Sequence, residues 1–288
     1  MKIGFIGLGI MGSRMAANLL AGGVELIVHN RTKEKAATLL EQGATWAESF
    51  AAFADADIVF TMLAHPEAVE QVALGAKGLL NHLRPGKLWV DCSTVNPSFS
   101  RQMALEAKTR NIRFLEAPVA GTKPQAQNGA LVFFVGGDAN HLADCTPYLE
   151  LMGQKVVHVG PHGMGMSLKV VINVMLATAM ATFAEGMALG EALGLPQTVL
   201  FNTLLGGPVT APFLVSKRDK MTNAAYDPEF PLQWMQKDMQ MAAIAAYEAG
   251  VAMPIANITK EVYQLAMKDG LGEQDISAIY QFLTGSPR

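Results

Sequence analysis

A lysine and an asparagine stand four residues apart in an otherwise apolar segment, a pattern that could serve proton transfer. At that spacing, Lys169 and Asn173 lie on one face of the helix that residues 163–173 predict. Apolar surroundings favour the neutral form of a lysine, and the asparagine could orient its amine, so the pair suits general acid–base catalysis. A lysine that extends to solvent beside a capping asparagine fits the pattern equally well.

A glycine-rich turn near the start of the chain has the spacing of a dinucleotide-binding loop. It consists of Gly7, Leu8, Gly9, Ile10, Met11 and Gly12. Residues 3–6 before it predict a strand and residues 15–21 predict a helix, which is the context that this motif requires. In such a loop Gly7 permits the tight turn, Gly9 lets the backbone approach a pyrophosphate, and Gly12 lets helix and strand pack closely. The N-terminal end of the helix would then bind the phosphates.

The end of the second predicted strand, residues 25–29, bears on which dinucleotide is bound. A site that prefers NAD usually has a carboxylate there, about twenty positions beyond the glycines, which bonds the ribose hydroxyls. This chain has Asn30, Arg31 and Thr32 instead. With no carboxylate to repel a 2′-phosphate, and with a guanidinium and a hydroxyl able to bind one, these residues favour NADP (NADPH) over NAD. The alternative is an Arg31 that is simply solvated.

Another predicted strand ends at Asp91 and is followed closely by Ser93 and Thr94. In an open α/β sheet the carboxyl ends of the strands face the ligand crevice, so Ser93 and Thr94 are candidates for ligand contact. Serine and threonine after a strand also cap helices, and residues 96–98 could start one. The sequence leaves both roles open.

The predicted elements indicate an α/β fold in two domains. Short β-branched runs alternate with helical patterns through the first half, which is typical of βαβ units and a Rossmann-type, doubly wound parallel sheet. Further runs at 113–116, 131–135 and 155–158 extend that sheet. After residue 162 the strand pattern stops, and a long interdomain helix from about 164 to 193 leads into an all-α domain. We therefore expect an NADP-binding domain over 1–162 and a helical substrate and oligomerisation domain over 163–288.

Composition and charge argue against several classes of partner, namely nucleic acid, membranes and metal ions. The 288 residues are 50% hydrophobic and 16% charged, with a formal net charge of -3. This balance offers no general attraction for nucleic acid or an anionic membrane, so we expect neither as a partner. Cys92 and Cys145 form no disulfide or metal-binding pattern, which favours a reducing cytoplasmic location and no metal. Polar residues interrupt the apolar stretch at 170–193, so we interpret it as a buried helix rather than a membrane span.

Four segments, taken together and in order, resemble the β-hydroxyacid dehydrogenase family, which includes 3-hydroxyisobutyrate dehydrogenase, over essentially the whole chain. They are residues 7–12, 91–94, 116–121 and 163–173. A fifth segment, Phe230-Pro231-Leu232 followed by Lys237-Asp238-Met239, is similar to the branch of glyoxylate/succinic semialdehyde reductases and γ-hydroxybutyrate dehydrogenases. The ordered co-occurrence is more specific than any single motif.

The resemblance implies a catalytic or substrate-binding role for several residues. Lys169 would be the catalytic acid/base and Asn173 its helper. Thr94 would lie beside both the nicotinamide and the substrate, and Phe230 and Asp238 would line the substrate site.

The same resemblance implies contacts with the cofactor and between subunits. Lys237 would lie near the cofactor, and Met62 and Leu63 would cover the nicotinamide ribose. Members of the family are commonly dimeric or tetrameric, so we expect a homodimer or homotetramer.

One departure from the family pattern concerns the substrate carboxylate. The family usually has a serine after Ala-Pro-Val whose hydroxyl binds that carboxylate, whereas this chain has Ala120, followed by Gly121 and Thr122. The N–H groups of Gly121 and Thr122, or the Thr122 hydroxyl, could bind a carboxylate instead, and a different or less polar substrate fits equally well. An unreplaced hydrogen bond to a charged group would weaken binding by about 1.5 to 3 kcal/mol, more than tenfold.

Together, the residues and the resemblance predict an NADP-dependent oxidoreductase that interconverts a small aldehyde or keto acid and the corresponding hydroxy acid. Substrates similar to succinic semialdehyde, glyoxylate or 3-hydroxyisobutyrate fit this prediction. One alternative is an imine reductase of the same architecture, against which Lys169 argues and which Ala120 keeps open. The other is a non-catalytic, cofactor-binding interaction module, against which the presence of both Lys169 and Asn173 argues.

Overall fold

The computed structural model describes residues 1–285. The chain divides into two compact units, of which the first comprises Met1–Lys169 and the second begins at Val170. The division falls inside one long helix, so that helix begins in the first unit and continues through the second.

The first unit is built on a nine-stranded sheet. Its strands are β1 (Lys2–Ile6), β2 (Glu25–His29), β3 (Thr45–Trp46), β4 (Ile58–Thr61), β5 (Leu88–Asp91), β6 (Arg113–Glu116), β7 (Val119–Ala120), β8 (Leu131–Gly137) and β9 (Gly153–Gly160). They are ordered β3-β2-β1-β4-β5-β6-β8-β7, and β9 also pairs with β8. The pairs from β3 through β6 are all parallel, which confirms the predicted Rossmann-type α/β fold.

The far side of the sheet, beyond β6, contains antiparallel pairs. Strand β8 runs antiparallel to β6, and β7, which the sequence did not predict, pairs antiparallel with β8. A parallel return needs a crossover of a dozen or more residues, usually a helix. The chain between β6 and β8 instead forms β7 and a helix of only five residues, Lys123–Gln127, so it re-enters the sheet in the opposite direction.

Helices connect these strands. They are α1 (Gly12–Ala21), α2 (Ala37–Glu41), α3 (Pro66–Leu74), α4 (Pro97–Thr109), α5 (Lys123–Gln127) and α6 (Ala139–Met152), with 3-10 turns at Lys33–Ala36, Phe50–Phe53 and Leu79–Asn81. Both α3 and α4 start with proline, whose missing N–H is no loss at the first helical position.

The strands are apolar on both faces because both faces are covered. Phe5 and Phe60 belong to the core on one side of the sheet, whereas their neighbours Ile6 and Val59 belong to the core on the other side. Successive strand residues point to opposite faces, so a strand buried on both sides has an uninterrupted apolar run rather than an alternating one.

The second unit is helical. Its elements are α7 (Met164–Ala192), which starts in the first unit, α8 (Gln197–Leu204), α9 (Arg218–Thr222), α10 (Leu232–Ala249), α11 (Pro254–Ala266) and α12 (Ile279–Thr284), with short helical turns at Pro212–Lys217, Met267–Leu271 and Ile276–Ala278. Between residues 170 and 285 no strand forms, apart from one isolated bridge between Pro231 and Asp275, which confirms the predicted all-α second half.

Helix α7 follows the predicted long helix closely. Among residues 1–285 it is the single helix long and apolar enough to span a membrane, a property that it shares with the core helices of many globular proteins. Within the second unit it supplies Ala177, Met180, Ala184 and Met187 to the hydrophobic core.

Candidate functional site

The carboxyl ends of five neighbouring strands align in one row across the sheet. Cα pairing joins Ile6 of β1 to His29 of β2 and to Thr61 of β4, Thr61 to Asp91 of β5, and Asp91 to Glu116 of β6. The loops that follow these residues therefore leave the sheet at the same edge, where open α/β sheets bind ligands. The segments that the sequence singled out in the first unit follow these ends: residues 7–12, 30–32, 62–63 and 93–94.

The glycine turn has the shape that a dinucleotide loop requires. Gly7 has a φ of +99°, and a Cβ built there would lie 2.3 Å from the carbonyl oxygen of Met62. A Cβ at Gly12 would lie 1.9 Å from the Gly7 carbonyl oxygen, whereas one at Gly9 would meet nothing within 4 Å. Gly7 and Gly12 are therefore needed to close the turn, and Gly9 leaves an open approach to the backbone.

The start of α1 is electrostatically suited to phosphate. The first turn of α1 contains no acidic residue, and no side chain caps it. No carboxylate of this turn therefore competes with a ligand for the N-terminal N–H groups and the positive end of the helix dipole. The residues present fit the pyrophosphate of a dinucleotide.

The segment after β2 divides into one structural residue and two exposed ones. Asn30 accepts a hydrogen bond from Leu8 N (2.9 Å) and donates one to the carbonyl of Thr32 (2.9 Å). Its side chain therefore holds the glycine turn in place. Arg31 and Thr32 are exposed, and their side chains are accessible to a ligand at this strand end.

A buried chain of hydrogen bonds links the ends of β4 and β5 to the segment that contains Met62 and Leu63. Trp89 Nε1 donates to Thr61 Oγ1 (2.9 Å), and Thr61 Oγ1 donates to Asp91 Oδ1 (2.7 Å). Ser93 Oγ donates to the same Asp91 oxygen (2.6 Å) and accepts from Leu63 N (2.9 Å).

The chemistry of the groups sets the direction of every bond in that chain. The indole and backbone N–H groups can only donate, so both hydroxyls accept from them and must direct their own hydrogens to Asp91. Burial raises the pKa of Asp91 to about 6, although the bonds from Ser93 and Thr61 oppose that rise. Ser93 is therefore a tether for the Leu63 segment, a role that differs from both of the roles considered from sequence.

Thr94 is half-buried beside this network. Helix α4 begins three residues later at Pro97, and its N-cap residue, Asn96, makes no side-chain bond to the helix backbone. Sequence analysis missed Asp91 as the organiser of this region. The signal that could have found it is that Thr61 and Asp91 end adjacent strands, with a serine two residues beyond Asp91.

The segment around Ala120 is less open to a carboxylate than the sequence suggested. Ala120 ends β7 and is half-buried, and Gly121 has a φ of +119°. Thr122 N donates to Gln125 Oε1 (2.9 Å), and the two residues form a capping box at the start of α5. The N–H and hydroxyl of Thr122 are thus committed to the helix cap. Of the donors considered in place of the missing serine, Gly121 N–H is the one outside that cap.

Lys169 and Asn173 are both buried, with 8% and 1% of their surfaces exposed. Asn173 Nδ2 donates to Asp238 Oδ2 (2.6 Å), and Lys237 Nζ lies 2.6 Å from Asp238 Oδ1. Asn173 Oδ1 is buried and has no hydrogen-bond partner within residues 1–285. The structure thus brings two of the predicted residues, Asn173 and Lys237, to the buried carboxylate of a third, Asp238.

Phe230 lies just before α10, in a segment anchored by a buried ion pair. Its N–H and that of Glu229 donate to Asp275 Oδ2, and Lys217 Nζ lies 3.0 Å from Asp275 Oδ1. Burial alone would raise the pKa of Asp275, but the charge of Lys217 and the bonds from Ser277 outweigh it and lower that pKa. Phe230 itself is half-buried and packs against the core of the second unit.

Within residues 1–285, no three His, Cys, Asp or Glu side chains are grouped so as to hold a metal ion. Cys92 and Cys145 are free and buried, and burial raises the pKa of both thiols.

Comparison with known proteins agrees with this geometry. Residues 2–160 match a family model described as the NAD binding domain of 6-phosphogluconate dehydrogenase. Residues 163–283 match a second model, described as NAD-binding of NADP-dependent 3-hydroxyisobutyrate dehydrogenase.

Curated relatives and solved structures match almost the whole chain. Glyoxylate/succinic semialdehyde reductase 2, chloroplastic, of Arabidopsis thaliana is 38% identical over 98% of this chain and 79% of that protein. Glyoxylate/succinic semialdehyde reductase 1 of the same plant is 34% identical over 98% of each chain. The solved 3-hydroxyisobutyrate dehydrogenase of Mycobacterium tuberculosis with L-serine is 30% identical, with a TM-score of 0.88 over 98% of each chain. With a dinucleotide-binding turn in its first unit and full-length similarity to these enzymes, the chain belongs to the β-hydroxyacid dehydrogenase family of NAD(P)-dependent oxidoreductases.

Proposed function

We propose that this enzyme uses NADPH to reduce a small aldehyde or keto acid to the corresponding hydroxy acid, and runs the reverse oxidation, with Lys169 as general acid and base. The observation that carries the proposal is the burial of Lys169 on α7, one helical turn before Asn173. Asn173 is in turn held by Asp238. A buried lysine with a polar neighbour one turn away is suited to proton transfer.

The choice of NADP rests on the end of β2. The side chains after that strand, Asn30, Arg31 and Thr32, include no carboxylate, and Arg31 and Thr32 are exposed. A guanidinium and a hydroxyl suit a 2′-phosphate. When bound, the nicotinamide supplies the hydride that the reaction needs.

The protein's own part of the mechanism is to position groups and to transfer a proton. In reduction, Lys169 would protonate the oxygen of the reacting carbonyl, and in oxidation it would accept the hydroxyl proton. Asn173 would orient the amine through its amide, whose position Asp238 fixes at 2.6 Å. In the first unit, Thr94 and the Gly121 N–H would contact the substrate. Phe230 keeps the substrate-binding role that the family resemblance implies.

The substrate class follows from the relatives. Two of them are named as reductases of glyoxylate and succinic semialdehyde, which are short aldehydes that carry a carboxylate. We propose the same class for this chain, with Ala120 as the position that modifies affinity for the carboxylate.

Replacement of Lys169 tests the proposal directly. Lys169→Ala should lower kcat at least about a hundredfold, because general acid–base catalysis contributes about that factor, while the Kd for NADPH changes little. Lys268→Ala, at an exposed lysine, is the matched control and should behave as the wild type. If Lys169→Ala keeps its turnover, the proposed role is wrong.

A substrate panel separates the proposal from the imine reductase alternative. Glyoxylate, succinic semialdehyde and a cyclic imine would be compared by the kcat/KM of NADPH oxidation. We expect both aldehydes to be preferred, and preference for the imine would overturn the assignment.

We also propose that the enzyme is a homodimer or homotetramer. Large apolar side chains remain exposed on α11, among them Ile255, Ile258 and Leu265. Analytical ultracentrifugation would test this, and a monomer at micromolar concentration would contradict it.

A further inference from the structure

Glu116 is a fully buried carboxylate that contacts the start of the helix bearing Lys169. It ends β6 and has no exposed surface. Its Oε2 accepts a hydrogen bond from Gly163 N (2.8 Å), and its Oε1 accepts one from Met166 N (3.1 Å). Ser100 Oγ of α4 donates to Oε2 as well. All of these residues belong to the first unit.

The backbone around Glu116 leaves room for its carboxylate and for little else. A Cβ at Gly136 would lie 2.3 Å from Glu116 Oε1. A Cβ at Gly165 would lie 2.4 Å from the carbonyl oxygen of Phe134 and 3.1 Å from Glu116 Oε1. Glycine at both positions lets α7 and β8 approach the carboxylate closely. The location of Glu116 relative to the first turn of α7 is therefore tightly determined.

Glu116 accepts from backbone N–H groups, those of Gly163 and Met166, at the end of α7 where the helix has no acceptor of its own to offer. The first N–H groups of a helix have no acceptor within the helix, and the positive end of its dipole stabilises a nearby carboxylate. Glu116 supplies that carboxylate from the sheet, whereas most helices are capped by a residue of their own chain segment. The first turn of α7 is thus attached to the edge of the sheet where the cofactor residues lie.

We propose that Glu116 is a positioning residue for Lys169. By fixing the first turn of α7 to β6, it sets the position of that turn along the helix axis and its rotation about the axis, and with them the position of the lysine amine. The inference rests on the proposed function, since it requires Lys169 to act in the reaction. Lys169 follows Met166 by three residues, so a rotation or shift of the first turn moves the lysine with it. Displacement by about 1 Å is enough to slow an enzymatic step about a hundredfold.

The test measures kcat separately from cofactor binding. Glu116→Gln keeps the size of the side chain, but one of its two terminal atoms becomes an N–H donor that faces a backbone N–H. We expect kcat to fall at least about tenfold, in proportion to the misplacement of the amine, with the Kd for NADPH within about twofold of wild type. Hydrogen exchange should show reduced protection of the amides of the first turn of α7. Glu116→Asp, which keeps both acceptor oxygens, should recover part of the lost kcat.

A matched control separates positioning from loss of stability. Asp138 caps α6 in the same unit by accepting from Asn140 N (2.7 Å), and α6 carries none of the site residues. Asp138→Ala should lower Tm by a few degrees, as loss of a helix cap does, without changing kcat. If Glu116→Gln fails to fold, Ser100→Ala is used in its place. This change removes one donor to Glu116 and keeps both contacts between Glu116 and α7. We then expect a smaller fall in kcat, again with the Kd for NADPH unchanged.

The outcomes distinguish this inference from the proposed function. Lys169→Ala measured in parallel reports on the function alone, and its retained turnover would remove the basis of both proposals. If Lys169→Ala is inactive but Glu116→Gln, or Ser100→Ala in its place, has the kcat of the wild type, the positioning role alone is overturned. A fall in kcat for Asp138→Ala equal to that of Glu116→Gln would also overturn it.

Discussion

Asn173 of α7 donates its side-chain amide to Asp238 of α10 at 2.6 Å, across 65 residues of sequence. Both side chains are buried, with 1% and 4% of their surfaces exposed. A hydrogen bond to a charged group in such a site is stronger than one between neutral groups, and it fixes the rotamer of each partner. The bond therefore determines which way the asparagine next to Lys169 on the helix face points.

A double-mutant cycle should detect this bond. Asn173→Ala, Asp238→Ala and the double variant would be compared by urea denaturation. We expect a coupling energy of about 1 to 3 kcal/mol, because Asn173→Ala removes the donor to Asp238 Oδ2 and Asp238→Ala removes the acceptor of the buried Asn173 amide. Thr178→Ala is the control on the same helix, since its hydroxyl donates to the nearby backbone carbonyls of Val174 and Met175. Thr178→Ala and Asp238→Ala should be additive, and additivity of Asn173→Ala with Asp238→Ala would contradict the expectation.

The pKa of Asp91 makes stability depend on pH in a defined direction. Burial raises that pKa from 3.8 to about 6, so between these values the folded chain binds a proton that the unfolded chain has released. The free energy of unfolding therefore falls as pH rises through this window. Asp91→Asn removes the dependence while keeping an oxygen for Thr61 and Ser93. Its stability relative to wild type should rise by up to about 3 kcal/mol between about pH 4 and pH 7, measured by urea denaturation.

Asp57 provides a control of opposite sign. The hydrogen bond from Lys87 and the backbone N–H of Lys2 lower the pKa of its carboxyl. Its stabilising contribution is therefore present above its unfolded-state pKa and is lost as pH falls. Asp57→Asn should become less stable than wild type as pH rises, and the same sign of change in both variants would show that Asp91 is not the titrating group.

Arg31 should discriminate between the two nicotinamide dinucleotides. Its guanidinium is exposed at the end of β2, and a charge-assisted bond to a 2′-phosphate contributes about 1.5 to 3 kcal/mol. Arg31→Ala should raise the Kd for NADPH more than about tenfold and leave the Kd for NADH unchanged, as measured by fluorescence titration. Lys35→Ala, which removes a nearby exposed charge, is the control. Equal losses for both cofactors would argue against a 2′-phosphate contact.

Replacing Ala120 with serine should strengthen binding of a carboxylate substrate. The Thr122 N–H and hydroxyl are occupied by the capping box with Gln125, so they do not substitute for the serine that the family usually has. Ala120→Ser should lower KM for succinic semialdehyde by about tenfold and leave KM for an uncharged aldehyde of similar length unchanged. A similar change for both aldehydes would mean that the new hydroxyl does not meet the carboxylate.

The parts of the fold that follow from local patterns could be predicted. Apolar periodicity and glycine-containing boundaries are visible in a linear sequence. They predict the span of α7 and those strands from β1 to β6 that are longer than two residues. The antiparallel insertion of β8 could not be predicted in this way. Strand direction depends on which neighbour a strand pairs with, and periodicity carries no information on pairing.

The candidate site likewise has features that the sequence predicts and features that depend on tertiary contacts. Residue types and spacings can be read from the linear sequence: a glycine turn without a following carboxylate, and a lysine and an asparagine at helical spacing. The folded chain shows in addition which polar groups already have hydrogen-bond partners. Asn30 accepts from Leu8 N, Ser93 accepts from Leu63 N, Thr122 belongs to a helix cap, and Asp238 accepts from Asn173. The physical reason is that a buried donor or acceptor must find a partner, and most of these partners lie tens of residues away in the sequence, where only folding brings them within 3 Å.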